Sequence, residues 1–221
     1  MSFQLIPWMR ECTNPACCFR YPIPTPQEDR PRCPLCQAET RVVASGNVSR
    51  PQGMPPRLST TPWPVDVLVD NIRSTHNVGS ILRTADGAGI RHVHLVGITP
   101  RPDNPKVAKT ALGAEESVPW TYHRNGLRAM RKIQSQGSHV WALDVFHTGT
   151  LLTEAVSRMP RRASRSPRPI LLVVGNEIAG IDPDIVAEAD KLVTIPMHGG
   201  KHSLNVSVAF GVAAYFLTQN E

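Results

Sequence analysis

Three segments of this 221-residue chain combine side chains that handle charge and protons with glycines that let a backbone approach a ligand. The first, DNIRSTHNVGSILRTADGAGI (70–90), reads as a strand end followed by a helix capped by Asn77, with Ser80 and Arg83 in its first two turns. Gly79 would let another backbone pack closely there. The second, LLVVGNEIAGID (171–182), runs an apolar strand into Gly175-Asn176-Glu177 and then Gly180, which sets a carboxylate beside a turn of unusual backbone freedom. The third, IPMHGGKHSLNVSVAFGVAAY (195–215), ends a strand at Ile195-Pro196-Met197, loops through Gly199 and Gly200, and enters a helix near Ser203 and Asn205. Such a loop offers backbone N–H and C=O groups and an apolar wall, which suits a flat adenine and a thioether chain. Each segment also has a plainer reading: a capped helix with a surface arginine, a turn with a solvated glutamate, and a helix docking by Val206, Val208, Ala209 and Phe210.

A second chemistry is written in the cysteines. All five, Cys12, Cys17, Cys18, Cys33 and Cys36, lie in the first 36 residues. An odd number without a secretory signal argues for metal ligation over disulfides. Cys12-x4-Cys17 and Cys33-x2-Cys36 are two knuckles able to surround a tetrahedral zinc, with Cys18 as a spare thiol or a replacement for Cys17. Four protein ligands close the coordination shell, so the metal is expected to be structural and to supply the folding free energy of a segment poor in large apolar groups.

The elements that must position the three segments show in the hydropathy pattern. Apolar runs of strand length occur at 65–70, 92–97, 139–144, 170–175 and 191–196, with a weaker one near Val118; helical patterns lie at 78–88, 125–136, 150–157, 183–188 and 204–218. This alternation predicts an α/β fold with a mostly parallel sheet. The Pro-rich opening divides into a zinc-ribbon-like domain at 1–43 and a linker at 44–64 that should connect and not pack, ahead of a main domain at 65–221. RRASRSPR (161–168) reads as a basic loop, either solvated or in contact with RNA. The net charge of +6 favours polyanionic partners. There is no run of about 18 apolar residues, and the start, with Pro7, Trp8, Arg10 and Glu11, lacks a signal's apolar core, so a cytoplasmic protein outside the membrane is expected. No G-x-G-x-x-G follows the first strand, which removes the cofactor logic of ordinary Rossmann enzymes.

In their order and spacing, and together with KTALGAE (109–115), the three segments resemble the motifs of SpoU (TrmH-like) RNA 2′-O-methyltransferases of the SPOUT superfamily over residues 65–218. The resemblance implies a carboxyl-terminal trefoil knot, an exception to the rule of unknotted chains. It implies S-adenosyl-L-methionine as cofactor, held by Gly175, Asn176, Gly180, Ile195, Met197 and Leu204 largely through backbone. It implies methyl transfer to a ribose 2′-hydroxyl of tRNA or rRNA, and a homodimer whose subunits share the site. Arg83 would be the family's activating residue. An arginine keeps its proton, so a cation stabilising the developing alkoxide and gripping a phosphate is the better physical account. Asn77 would position Arg83 or the ribose, Glu177 would orient Asn205 or Arg83, and Ser203 and Asn205 would shape the pocket. His76, His198 and His202 sit beside the motifs as weaker candidates. The ribbon departs from a minimal member and could contact RNA through Arg20, Tyr21, Arg30 and Arg32. The competing reading is a non-catalytic RNA-binding or assembly protein that keeps the knotted scaffold. A zinc hydrolase is disfavoured because the cysteine cluster is closed and lies outside the α/β region.

Overall fold

The computed structural model describes residues 8–23, 32–45, 63–146, 148–159 and 168–219. Arg30, most of the expected linker (46–62) and most of the basic loop (161–167) lie outside the described residues. The chain divides into two compact units, Met1–Arg57 and Leu58–Glu221.

The first unit is an antiparallel sheet in the order β2-β1-β3, made of β1 (Trp8–Cys12), β2 (Arg20–Ile23) and β3 (Thr40–Ser45). The sequence pattern did not reveal these strands, because four to six residues with little apolar alternation carry almost no periodic signal. Two similar turns link them. Cys17 and Cys18 both donate to Asn14 O at 3.0 Å, Gln37 donates to Cys33 O at 3.0 Å, and each turn closes on a left-handed residue, Cys18 (φ 50°) or Gln37 (φ 62°).

The second unit holds a seven-stranded, wholly parallel sheet in the order β6-β5-β4-β9-β7-β10-β8. Its strands are β4 (Val65–Asp70), β5 (His92–Val96), β6 (Trp120–His123), β7 (His139–Leu143), β8 (Thr150–Leu151), β9 (Ile170–Val174) and β10 (Lys191–Thr194). Strands β4 and β9 are buried at every position, as expected of central parallel strands covered on both faces. Alternation along β4 sends Val65, Val67 and Val69 toward α1 (Thr75–Ala88) and α7 (Val206–Thr218), and Leu68 toward α4 (Gly126–Ser135) and α6 (Pro183–Glu188). Three further helices are α2 (Pro105–Ala111), α3 (Ala114–Ser117) and α5 (Leu152–Ser157). Helices α2 and α3 and strand β8 went unpredicted, being short.

The expected α/β class with a mostly parallel sheet is observed. Two boundaries differ from expectation for physical reasons. Helix α1 begins at Thr75 with Ser74 as its cap, accepting from Asn77 N at 3.2 Å, so Asn77 is not the cap and its side chain is free to turn inward. Trp63, inside the stretch read as a linker, packs into the core at 9% exposure, and Pro64 O accepts from Ile170 N at 2.9 Å. Gly79 does admit a neighbouring backbone: a Cβ there would lie 2.7 Å from Val107 O and 2.9 Å from Ala111 N on α2.

The strand order matters for function. From β4 the chain winds outward through β5 and β6, then crosses to β7 and β8 on the other side. Strands β9 and β10 are inserted last, β9 between β4 and β7, and β10 between β7 and β8. The carboxyl ends of β7, β9 and β10 therefore crowd together beside the point where the winding reverses, which is where open parallel sheets bind ligands.

Candidate functional site

Within the first unit, the Sγ atoms of Cys12, Cys17, Cys33 and Cys36 all lie within 4.8 Å of one another. Cys12 and Cys36 are 3.4 Å apart, and Cys17 and Cys33 are 3.8 Å apart. A tetrahedron of Zn–S bonds of about 2.3 Å has sulfur–sulfur edges of about 3.8 Å, so the donor set fits a structural zinc. Burial pushes the Cys12 thiol up to about 12, whereas the Ala38 backbone N–H lowers Cys36 to about 7. A bound cation would favour the thiolate at both. Cys18 is exposed, occupies the left-handed turn position and donates to Pro15 O at 3.1 Å, so it stands outside the cluster.

In the second unit, a cleft of about 190 Å³ opens at the carboxyl ends of β7, β9 and β10. Its apolar wall includes Leu143, Ile195, Met197, Leu204, Val206 and Ala209, and its polar groups include Asp144, Asn176, Glu177, Ser203 and Asn205. Val145, Gly175, Thr194 and His202 also line it. Of the expected cofactor residues, Gly175, Asn176, Ile195, Met197 and Leu204 are thus brought together.

Gly180 is not on the cleft. Its N–H and C=O pair with Asn176 O (3.0 Å) and Asn176 N (2.9 Å), and it sits at φ +73°, so it serves the turn and not a ligand directly. Gly175 has a second duty besides lining the cleft. A Cβ there would fall 2.4 Å from both Gly180 C and Ile181 N, so the turn can close only over a glycine. The Asn176 side chain is consumed internally: Oδ1 accepts from Ile178 and Ala179 N, both at 2.9 Å, and Nδ2 donates to Asn71 O at 2.6 Å.

The three motif segments meet through one line of hydrogen bonds. Asn77 Nδ2 donates to Glu177 Oε1 at 2.9 Å, and Asn205 Nδ2 donates to Asn77 Oδ1 at 3.1 Å. Glu177 also accepts from Arg73 N (3.1 Å) and Ser74 N (3.2 Å). Burial alone would raise the Glu177 pKa, but these donors together hold it below the usual carboxylate value. Asn205 caps α7 at the same time, its Oδ1 accepting from Ser207 N at 2.9 Å. Glu177 therefore reaches Asn205 only through Asn77, and it does not touch Arg83.

Arg83 lies on the exposed side of α1, outside the cleft lining, with no hydrogen bond or ion pair to the described residues. Within one chain it is not assembled with the other candidate residues. His202 lines the cleft, while His76 and His198 do not. Asp144 also lines the cleft, and no local pattern in the sequence singles it out. Like Glu177 it is a carboxylate at a strand end, but no glycine turn follows to draw attention to it.

Residues 64–215 match the family model described as the SpoU rRNA Methylase family. Over 177 residues the chain is 32% identical to the 23S rRNA (guanosine-2′-O-)-methyltransferase RlmB of Pectobacterium atrosepticum, covering 78% of this chain and 67% of that protein. It is 33% identical over 153 residues to the tRNA (guanosine(18)-2′-O)-methyltransferase of Aquifex aeolicus, covering 67% and 66% of the two chains. Among solved structures, the AdoMet-bound rRNA methyltransferase of Sinorhizobium meliloti superposes with a TM-score of 0.61 at 27% identity, covering 72% of this chain and 58% of that one. The chain spans about two thirds or less of the length of the curated relatives it matches.

Proposed function

We propose that this chain, which belongs to the SpoU rRNA methylase family, transfers a methyl group from S-adenosylmethionine to a ribose 2′-hydroxyl of a transfer or ribosomal RNA. The observation that carries the reading is the line Glu177–Asn77–Asn205, which ties the three motif segments together at the mouth of one cleft. The names of the relatives support ribose methylation of both RNA classes, and neither class is favoured over the other.

The cleft residues fit the cofactor. Leu143, Ile195, Met197 and Leu204 offer an apolar wall for an adenine and a thioether chain, and Asp144 offers a negative charge for a cationic ligand. When bound, S-adenosylmethionine supplies a methyl group that is already activated. The task left to the chain is alignment of the ribose oxygen and disposal of its proton. Asn77, clamped between Glu177 and Asn205, holds motif one in register with the cleft, and Ser203 and Asn205 shape the entrance. As a cation, Arg83 stabilises the developing alkoxide and grips a neighbouring phosphate, which relays the proton.

Two observations favour a homodimer in which each site is shared. Arg83 lies outside the cleft of its own chain, and α7 (VSVAFGVAAYFLT) has no charged face while leaving Val208, Tyr215 and Phe216 exposed. In this reading the methyltransferase segment, knotted as in the family, runs from Trp63, whose side chain packs into its core, to residue 221. The zinc segment at 1–43 supports RNA contact, with Arg20, Tyr21 and Arg32 as candidates. No helix among the described residues is long and apolar enough to cross a membrane, and a cytoplasmic site of action accords with RNA substrates.

Mapping 2′-O-methyl sites across total RNA from cells with and without the gene tests the reading, followed by transfer with purified protein. Arg83→Ala is expected to abolish transfer while retaining cofactor binding. If no ribose position changes and the purified protein binds no S-adenosylmethionine, the chain is an RNA-binding scaffold instead.

A further inference from the structure

Asp144 is built into the cleft in a manner that a solvated surface carboxylate would not need. It follows β7 directly and lines the cleft between the apolar residues Leu143 and Val145. Its two oxygens are separately anchored: Oδ1 accepts from Val145 N at 2.7 Å and Oδ2 from Ile181 N at 3.3 Å. The motif-two turn is shaped to admit it, because a Cβ on Gly180 would come within 2.8 Å of Asp144 Oδ2. No ion pair to Asp144 occurs among the described residues. The other carboxylate on the cleft, Glu177, is already committed to Arg73 N, Ser74 N and Asn77. Asp144 is therefore the carboxylate of this cleft whose charge is not answered by a cation or by three donors, and each of its oxygens keeps further acceptor capacity.

We propose that Asp144 is the anionic contact for the positively charged part of the cofactor, making the cleft selective for a cationic ligand. This rests on the reading of the cleft as the S-adenosylmethionine site. The ligand carries two positive groups, a sulfonium and an ammonium, beside one α-carboxylate and a neutral adenosine. The apolar wall serves the adenosine, and a fixed carboxylate serves the charges by Coulomb attraction strengthened in a partly desolvated cleft. The role is one of binding and selectivity, distinct from proton handling at the ribose.

The test is calorimetric titration of the full chain and its Asp144→Asn variant with three ligands: S-adenosylmethionine, S-adenosylhomocysteine, and 5′-methylthioadenosine, which lacks both charges. Loss of the single charge is expected to weaken S-adenosylmethionine on the order of ten-fold and methylthioadenosine by less than about two-fold. S-adenosylhomocysteine tells the two charges apart. Weakening equal to that of S-adenosylmethionine assigns the ammonium, sparing assigns the sulfonium, and both uphold the proposal. Equal weakening of methylthioadenosine, or unchanged S-adenosylmethionine affinity, overturns it while leaving the proposed function intact. If the wild type binds none of the three, both readings fall. Should the variant not fold, the wild type in rising KCl decides. S-adenosylmethionine affinity must then fall with salt while methylthioadenosine affinity stays level, and parallel behaviour of the two overturns the proposal.

Discussion

Asn77 and Glu177, 100 residues apart, meet through a hydrogen bond of 2.9 Å from Nδ2 to Oε1, and the same asparagine amide accepts from Asn205. One side chain that is both donor and acceptor thus couples the end of β9, the start of α1 and the cap of α7. Asn77 itself is 7% exposed, whereas Glu177 and Asn205 are exposed, so the two bonds are partly shielded from competing water.

Replacing that side chain should be costly in a specific way. Asn77→Ala leaves one Glu177 oxygen and the Asn205 amide without this partner, and because both are exposed enough to meet water the expected stability loss is about 0.5–1.5 kcal/mol in denaturant melts. Asn77→Asp should lose more, because it sets a second carboxylate against Glu177. An Ala variant as stable as wild type would mean the line carries no load.

The glycines of the site should separate sharply under substitution. Gly175→Ala forces a Cβ to 2.4 Å from the Gly180–Ile181 backbone, whereas nothing lies within 4 Å of a Cβ at Gly199. The first is expected to destabilise the protein by about 1–3 kcal/mol or more and to weaken cofactor binding; the second should leave stability within about 0.5 kcal/mol. Paired thermal melts of the two variants check the contrast.

A pH effect is expected away from the cleft. His94 on β5 faces Thr121 Oγ1 at 3.1 Å and His123 Nε2 at 3.2 Å. Burial, and then the charges of His92, His123 and Arg91, lower its pKa from 6.5 to about 4. The unfolded chain therefore takes up the proton first as pH falls. Stability should be full above 6.5 and decline between 6.5 and about 4. After discounting for solvent screening, the decline should be on the order of 1 kcal/mol. His94→Gln should flatten that part of the stability-versus-pH curve measured by urea titration.

Metal removal should act on one unit. Cys36→Ser, or chelation, is expected to release about one zinc per chain and to expose residues 8–45 to limited proteolysis, since metal binding and folding of such a segment are one event. The cleavage pattern of the second unit should stay unchanged. Retained protection of 8–45 after complete metal loss would show that the three-stranded sheet stands without it.

The sequence by itself determined the α/β class, the parallel sheet and the four-cysteine cluster, because these rest on local quantities. Buried parallel strands read as runs such as VDVLVD and ILLVV, and two knuckles declare their ligands by spacing. Glycine demands and the helix positions around Val206 were likewise near the surface of the sequence. The tertiary structure alone decided who touches whom. Asn77 read as a cap because it lies near a helix start, yet Ser74 takes that role and Asn77 spends its amide across 100 residues. Asp144 was invisible because its meaning comes from Ile181 N and Gly180, brought beside it only when β9 enters next to β7. Arg83 stands apart from the cleft for the same kind of reason. Hydropathy period reports which face of an element is buried, whereas the pairing of polar side chains depends on the order in which strands are laid into the sheet, and no local window contains that order.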